Sequence, residues 1–363
     1  MRGTQLQKLL LLEAFFMENS MKKIGKIESV SHMCESLGYK EVDLINILDD
    51  KDKYYKNIVK IPKKMGYREI CMIDKSCSLY ELQKSLKINF LDNIKISDIA
   101  YGFKKNYDYF DFLETHRNFY GNANYLRIDI SNFFGSISEQ MIIDTFEYYV
   151  DSVEKEKILK CLLDVMLYNG VLIQGTPIAP VVSNIIFRSV DIRIQRYCDK
   201  QRVMYSRYVD DLMFSSEERG KLFNKDFCKT IERILQSEGF KINYSKLRRA
   251  QNSISINGFC VDENVRLSRK KLAPISRILY YMERHRYVRS KNWILDYNDF
   301  MEKYIKEKNV KIEEEYELIN LLAGYRAFLI NTLKHSEDEH FVRRTKGIIK
   351  RIEKQIDNIE QLK

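Results

Sequence analysis

The chain has 363 residues, with 61 Lys and Arg against 51 Asp and Glu for a formal charge of +10, and this excess favours a polyanionic partner. Gly (14) and Pro (4) fall below their ordinary shares of about 7% and 5%, which excludes collagen-like, linker-rich and disordered chains. A 45% hydrophobic content with 24 Tyr and 19 Phe supplies a sizeable core, and the length suits two or three subdomains at about 100–200 residues each.

The seven Cys (Cys34, Cys71, Cys77, Cys161, Cys198, Cys228, Cys260) are odd in number and scattered, and none is paired at structural-zinc spacing. They suit a reducing cytoplasm. In chain order, the run Leu9-Leu10-Leu11-Leu12-Glu13-Ala14-Phe15-Phe16-Met17 is too short to cross a bilayer, carries Glu13 in its middle and precedes no small-residue cleavage site. It is expected as a helix packed on the body, within an N-terminal helical extension over residues 1–60 whose stretch from Glu41 to Lys60 is solvated. After Pro62, a turn at Gly66 divides Lys63 to Ile73 into the arms of a hairpin. Ser78 with Glu81 has the spacing of a capping box that opens a helix.

From Tyr125 to Ile130 the residues alternate. Leu126, Ile128 and Ile130 share one face, and Tyr125, Arg127 and Asp129 the other, which predicts a half-buried strand that delivers Asp129 near its end. Ser136 with Glu139 predicts a second capping box, opening a helix through Tyr149. Gln174 to Pro180 then precedes a helical run in which Val182, Ile185, Ile186 and Val190 share a face, with Pro180 expected at the helix start. Val203 to Ser215 reads as a hairpin whose tight connection carries Asp210 and Asp211, although Asp is also common in ordinary surface turns.

If Asp129 meets the Asp210-Asp211 pair, mutual repulsion raises their pKa values unless a cation compensates. Oxygen donors without His or Cys suit Mg²⁺, and two such ions about 3.5–4 Å apart activate a 3′-hydroxyl and stabilise a pyrophosphate leaving group. Farther on, Arg277, Arg284, Arg286, Arg289 and Lys291 interleave with Tyr280, Tyr281 and Tyr287, a mixture that suits either a helix laid against a duplex or a solvated amphipathic helix.

Three stretches, Asp129-Ile130-Ser131-Asn132-Phe133-Phe134-Gly135-Ser136-Ile137, Gln174-Gly175-Thr176-Pro177-Ile178-Ala179-Pro180 with Ser183-Asn184, and Tyr208-Val209-Asp210-Asp211, resemble successive core motifs of reverse transcriptases in order and spacing. The resemblance is to the bacterial retron, group II intron and defence-associated branch and covers residues 60 to 330. It implies an α+β right-hand polymerase fold with fingers, an antiparallel palm sheet and a helical thumb. Residues 61–124 and 155–200 would be fingers and fingers/palm helices, 125–154 and 201–268 palm, and 269–363 thumb.

The implied activity is RNA-directed DNA polymerisation, with Asp129, Asp210 and Asp211 and the Ile130 carbonyl as ligands of two Mg²⁺ ions, and Lys246 serving the leaving phosphate. Arg68, Phe134, Gln174 and Gly175 would hold the nucleotide, with Phe134 either the steric gate under the sugar or a core residue. Arg269, Lys270, Arg277, Arg284 and Arg286 would contact nucleic acid. Leu321 to Arg326 resembles a thumb segment in which a small residue, here Gly324, permits close helix packing. Phe112-Leu113-Glu114-Thr115-His116 keeps only the His of the retron Asn-Ala-x-x-His signature, and Ile256-Asn257-Gly258 replaces its Val-Thr-Gly, so the likeness is greatest to free-standing defence-associated or abortive-infection reverse transcriptases. The implied partners are an RNA template or noncoding RNA, a DNA product, deoxynucleoside triphosphates and an effector protein, in the cytoplasm and off the membrane. A template-independent or protein-primed nucleotidyltransferase stays open as an alternative. So does a noncatalytic RNA-binding scaffold, although three carboxylates that repel phosphate serve mere binding poorly.

Overall fold

A computed structural model describes residues 24–55, 57–62, 67–117, 123–218, 220–284, 293–304, 311–334, 336 and 338–360. The leucine-rich run at residues 9–17 and Arg286 lie outside them. Helices α1 (Val30–Leu37) and α2 (Glu41–Asp49) come first. The segment from Glu41 is not simply solvated, because Leu44 and Ile47 of α2 are buried and residues 57–60 already belong to a strand. Strands β1 (Asn57–Pro62) and β2 (Tyr67–Met72) pair antiparallel, so the hairpin is present with its first arm earlier than expected.

Helix α3 (Ser78–Asn89) is capped by Cys77, whose Sγ accepts from the Tyr80 amide at 3.4 Å. Ser78 is thus the first helical residue, and Glu81 falls one position too late to close the expected box. A short helix α4 (Tyr109–Glu114) precedes β3 (Asn124–Ser131). The second expected box also shifts. Ser138 caps α5 (Glu139–Phe146), its hydroxyl accepting from the Met141 amide at 3.3 Å, while Ser136 ends a preceding 3₁₀ turn and residues 147–149 form another. Then come α6 (Lys155–Met166) and α7 (Ala179–Lys200), with Pro180 second in α7 rather than first. A proline costs no intrahelical bond anywhere in that turn. Val182, Ile185, Ile186 and Val190 are all buried.

Strands β4 (Met204–Tyr208) and β5 (Asp211–Ser216), helix α8 (Lys225–Ser237), and strands β6 (Lys241–Ile242) and β7 (Arg248–Gln251) complete a five-stranded antiparallel sheet. Its order is β4-β5-β3-β6, with β7 also on β3. A second sheet joins β8 (Ile254–Ile256), β9 (Phe259–Val261) and β10 (Val265–Leu267). Helices α9 (Arg269–Arg284), α10 (Trp293–Tyr304), α11 (Glu315–Leu333) and α12 (Glu339–Glu360) follow. The fold is therefore α+β, with an antiparallel sheet and a helical C-terminal part.

The sheet has a core on each side. Leu126, Ile128 and Ile130 enter one apolar cluster with Leu212, Phe214 and the buried face of α7, while Tyr125 and Met213 enter another with β8 to β10 and the later helices. Strand β3 is therefore buried on both faces rather than on one, as its near-continuous burial records. Gly324 in α11 also departs from expectation, since a Cβ added there meets nothing within 4 Å. Its smallness is not what lets a neighbouring helix approach.

Candidate active site

Strand register brings the acids together. Asp129 lies directly opposite Asp211 in the β3/β5 ladder. The Ile130 amide donates to the Asp210 carbonyl at 2.9 Å, which makes Asp129 and Asp211 the adjacent non-hydrogen-bonded pair, where side chains stand closest. Both line a cleft of about 1080 Å³, together with Ile130, Phe134, Gln174, Tyr208, Val209, Asp210 and Lys246.

Such a cluster repels itself, and two cations answer it. Arg127, two residues before Asp129 on the same face of β3, reaches both oxygens of Asp211 with contacts of 2.7–2.9 Å. Burial pushes the Asp211 carboxyl above its ordinary value against the pull of Arg127, and the Asp210 and Asp129 charges add to the rise. Lys246 Nζ sits 2.7 Å from Asp129 Oδ2, and Asn243 Nδ2 donates to the other oxygen at 3.0 Å. The Asn243 amide also bonds the Asp129 carbonyl at 2.8 Å, so the short β6 edge carries Lys246 to the acid.

The β4/β5 connection has two residues, Val209 and Asp210, because Tyr208 pairs with Asp211 across the ladder. Asp211 thus opens β5, and only Asp210 belongs to the loop proper. Val209 has a φ of 60°, a left-handed conformation that the favoured two-residue turns give to glycine. For a β-branched residue it costs about 1–3 kcal/mol.

Phe134 opens the 3₁₀ turn after β3, lines the cleft, and packs edge-on against Phe133 with ring centroids 5.4 Å apart. Gln174 lines the same cleft, and Gly175 beside it has a φ of 107°. Arg68 lies in β2 opposite Ile61. Its side chain falls outside the described part of the structure. Arg269, Lys270, Arg277 and Arg284 are exposed on α9, and none of them lines the cleft that holds the acids. Arg277 donates to the Tyr304 carbonyl, and the Arg284 guanidinium lies 5.2 Å from the Tyr280 ring.

Sequence reasoning did not single out Arg127, Asn243, Tyr109 or Asn257. Tyr109 and Asn257 line the cleft, with Asn257 Nδ2 donating to the Tyr109 hydroxyl at 2.9 Å and the Tyr109 ring edge-on to Tyr208. Arg127 had a usable signal, a cation two positions before an acid on the polar face of a strand. His116 is buried against the β4/β5 pair, its ring nitrogens 2.7 Å from Ser206 Oγ of β4 and Ser215 Oγ of β5. Among the described residues, no group of three or more His, Cys, Asp and Glu side chains is disposed to hold a metal ion.

Comparison with known proteins adds a family. The model described as reverse transcriptase (RNA-dependent DNA polymerase) matches residues 61–261. The retron Ec86 reverse transcriptase of Escherichia coli is 28% identical over 213 residues, 57% of this chain and 63% of that protein. The retron Ec83 reverse transcriptase of the same organism is 28% identical over 192 residues, 51% of this chain and 59% of that protein. The matches thus span less than two thirds of those relatives. Among solved structures, a Candida albicans telomerase in complex with a fragment of telomeric RNA aligns over 97% of this chain and 70% of that one, with 12% identity and a TM-score of 0.46.

Proposed function

Because the chain belongs to the reverse transcriptase (RNA-dependent DNA polymerase) family, we propose that it extends a 3′-hydroxyl with deoxynucleotides along an RNA template. The observation that carries this reading is the register of Asp129 against Asp211, beside the Asp210 turn and in the wall of a cleft of about 1080 Å³, a volume that can take a nucleotide. Few protein oxygens, and no closed cage, suit Mg²⁺, which keeps waters and takes the rest of its octahedron from substrate phosphates. Asp129, Asp210 and the Ile130 carbonyl would hold it. When bound, two such ions polarise the attacking hydroxyl and neutralise charge on the departing pyrophosphate.

The protein's own groups then have separate tasks. Arg127 holds both oxygens of Asp211, which favours a bracing role for that acid over direct ligation. Lys246 stands beside Asp129, where its ammonium can neutralise or protonate the leaving group. Phe134 would press on the sugar and exclude a 2′-hydroxyl, with Gln174, Gly175 and Arg68 along the base and triphosphate. Exposed Arg269, Lys270, Arg277 and Arg284 on α9 would bind duplex phosphates. In this reading β3 to β10 form the palm, α9 to α12 the thumb, and residues 61–124 and 155–200 the fingers.

The motif resemblance extends the proposal to a dedicated noncoding RNA and a role in antiphage defence. Among the described residues no helix is long and apolar enough to cross a membrane, in keeping with a cytoplasmic site of action. The decisive experiment supplies a primed RNA, deoxynucleoside triphosphates and Mg²⁺. Product complementary to that RNA supports the reading, whereas product of unrelated sequence supports untemplated synthesis. Sequencing the nucleic acid that co-purifies with the chain would identify its own template and primer.

A further inference from the structure

Behind the cleft lies a buried polar ring that the reading above does not use. Arg207 of β4 and Asp191 of α7 form an ion pair with no exposure of either side chain. Arg207 Nε meets the Asp191 oxygens at 2.9 and 3.1 Å, and Nη2 meets one of them at 2.8 Å. The Tyr205 hydroxyl donates to Asp191 as well, at 2.9 Å. The guanidinium stacks over Phe187, 4.6 Å from the ring centroid.

One guanidinium nitrogen remains, and it points forward. Arg207 Nη1 donates to the Val209 carbonyl and to Asn184 Oδ1, each at 3.0 Å. Asn184 Nδ2 donates to the Gly102 carbonyl at 2.8 Å. The segment carrying Gly102 is itself tied to the Arg207 backbone, whose amide donates to the Ile99 carbonyl at 2.9 Å and whose carbonyl accepts from the Tyr101 amide at 2.8 Å. A Cβ on Gly102 would come within 2.7 Å of both Val209 Cγ2 and the Val209 amide nitrogen. Val209 is therefore held through its carbonyl by Arg207 and lies so close to Gly102 that only a residue without a Cβ fits there. It is also the residue held at a φ of 60°, immediately before Asp210.

We propose that Arg207, braced by Asp191, Asn184 and Gly102, is a positioning residue that holds the Val209 turn in its strained conformation and thereby aims Asp210 into the cleft. This rests on the reading of Asp210 as an acid of the polymerase site. Arg suits the task because its planar fork serves a carboxylate and a carbonyl at once, whereas a lysine ammonium keeps the charge for Asp191 but concentrates its donors at one point. A buried pair that merely fastened α7 to the sheet would have no need of the Val209 carbonyl.

The test compares Arg207→Lys in two backgrounds, wild type and Val209→Gly, with primed RNA, deoxynucleotides and Mg²⁺. Glycine reaches positive φ without strain, so it removes the need for the clamp. Arg207→Lys alone should lower kcat on the order of a hundred-fold, the scale of an ångström-sized misplacement, with KM for the nucleotide within about three-fold. In the Val209→Gly background the same change should cost less than about ten-fold. An unchanged kcat, or an equal loss in both backgrounds, overturns the proposal. Should Arg207→Lys not fold, Gly102→Ala is read instead, and a wild-type kcat there overturns it while a large loss at unchanged KM supports it. If the wild-type chain makes no product, the polymerase reading fails by itself. Mn²⁺ affinity measured by electron paramagnetic resonance then decides the positional claim, a roughly ten-fold weakening in Arg207→Lys or Gly102→Ala supporting it and equal affinity overturning it.

Discussion

Asp211 gives both carboxylate oxygens to Arg127, whereas Asp129 shares its own between Lys246 and Asn243. The acids are thus unequal, and substitutions should separate them. Asp210→Asn should abolish incorporation while leaving the melting temperature and RNA affinity nearly unchanged, as measured by primer extension, calorimetry and filter binding. Arg127→Met should instead destabilise the fold by about 3 kcal/mol in urea titration, because it leaves a buried carboxylate without its cation. Phe134→Ala should admit ribonucleotides, and unaltered sugar discrimination would assign that ring to the core alone. Asp129 and Asp210 were readable in advance because a carboxylate at a strand end and another in a tight turn are local patterns. Arg207 was not, since a charged residue between Ser206 and Tyr208 in a strand reads as solvent-facing, and its partner Asp191 lies on a separate helix.

His116 connects α4 to the sheet through two serine hydroxyls, one on β4 and one on β5. Burial lowers its pKa from 6.5 to about 3, so the folded protein keeps it neutral where the unfolded chain takes up a proton. Its contribution to stability is complete above pH 6.5 and is lost as pH falls towards about 3. Denaturation midpoints across that window should fall with pH in the wild type and fall less steeply in His116→Gln. In α11, Gly324 meets open space, so Gly324→Ala should raise stability by about 0.5–1 kcal/mol. Both helix caps were displaced by a residue or two from their sequence signals: at the first the Cys77 thiol accepts the cap bond expected of Ser78, and at the second Ser138 caps while Met141 Sδ accepts from its amide in place of a Glu side chain. The β4/β5 hairpin was readable because apolar and aromatic runs flank the Asp pair on both sides and its turn is local. The pairing of β3 with β5 was not, since nothing in either segment specifies a partner across that sequence separation.

At the scale of the molecule, the +10 charge predicts that the logarithm of RNA affinity falls linearly with the logarithm of salt concentration, with a slope that counts displaced counterions. Replacing Arg269 and Lys270 together with Gln should make that slope shallower by about two contacts if α9 lies on the backbone, and a slope identical to wild type would remove α9 from the interface. The α+β architecture was legible from motif order, whereas the two-sided burial of β3 was not, because alternation of Leu and Ile with Tyr, Arg and Asp resembles a wall with one wet face. Tyr125 and Met213 instead look into the same apolar cluster as Leu272, Ile278 and Leu322. A shortened chain ending at residue 268 would consequently uncover apolar side chains on the same face of the sheet that carries Asp129 and Asp211, and recombinant preparations trimmed to the polymerase motifs should clump or require detergent.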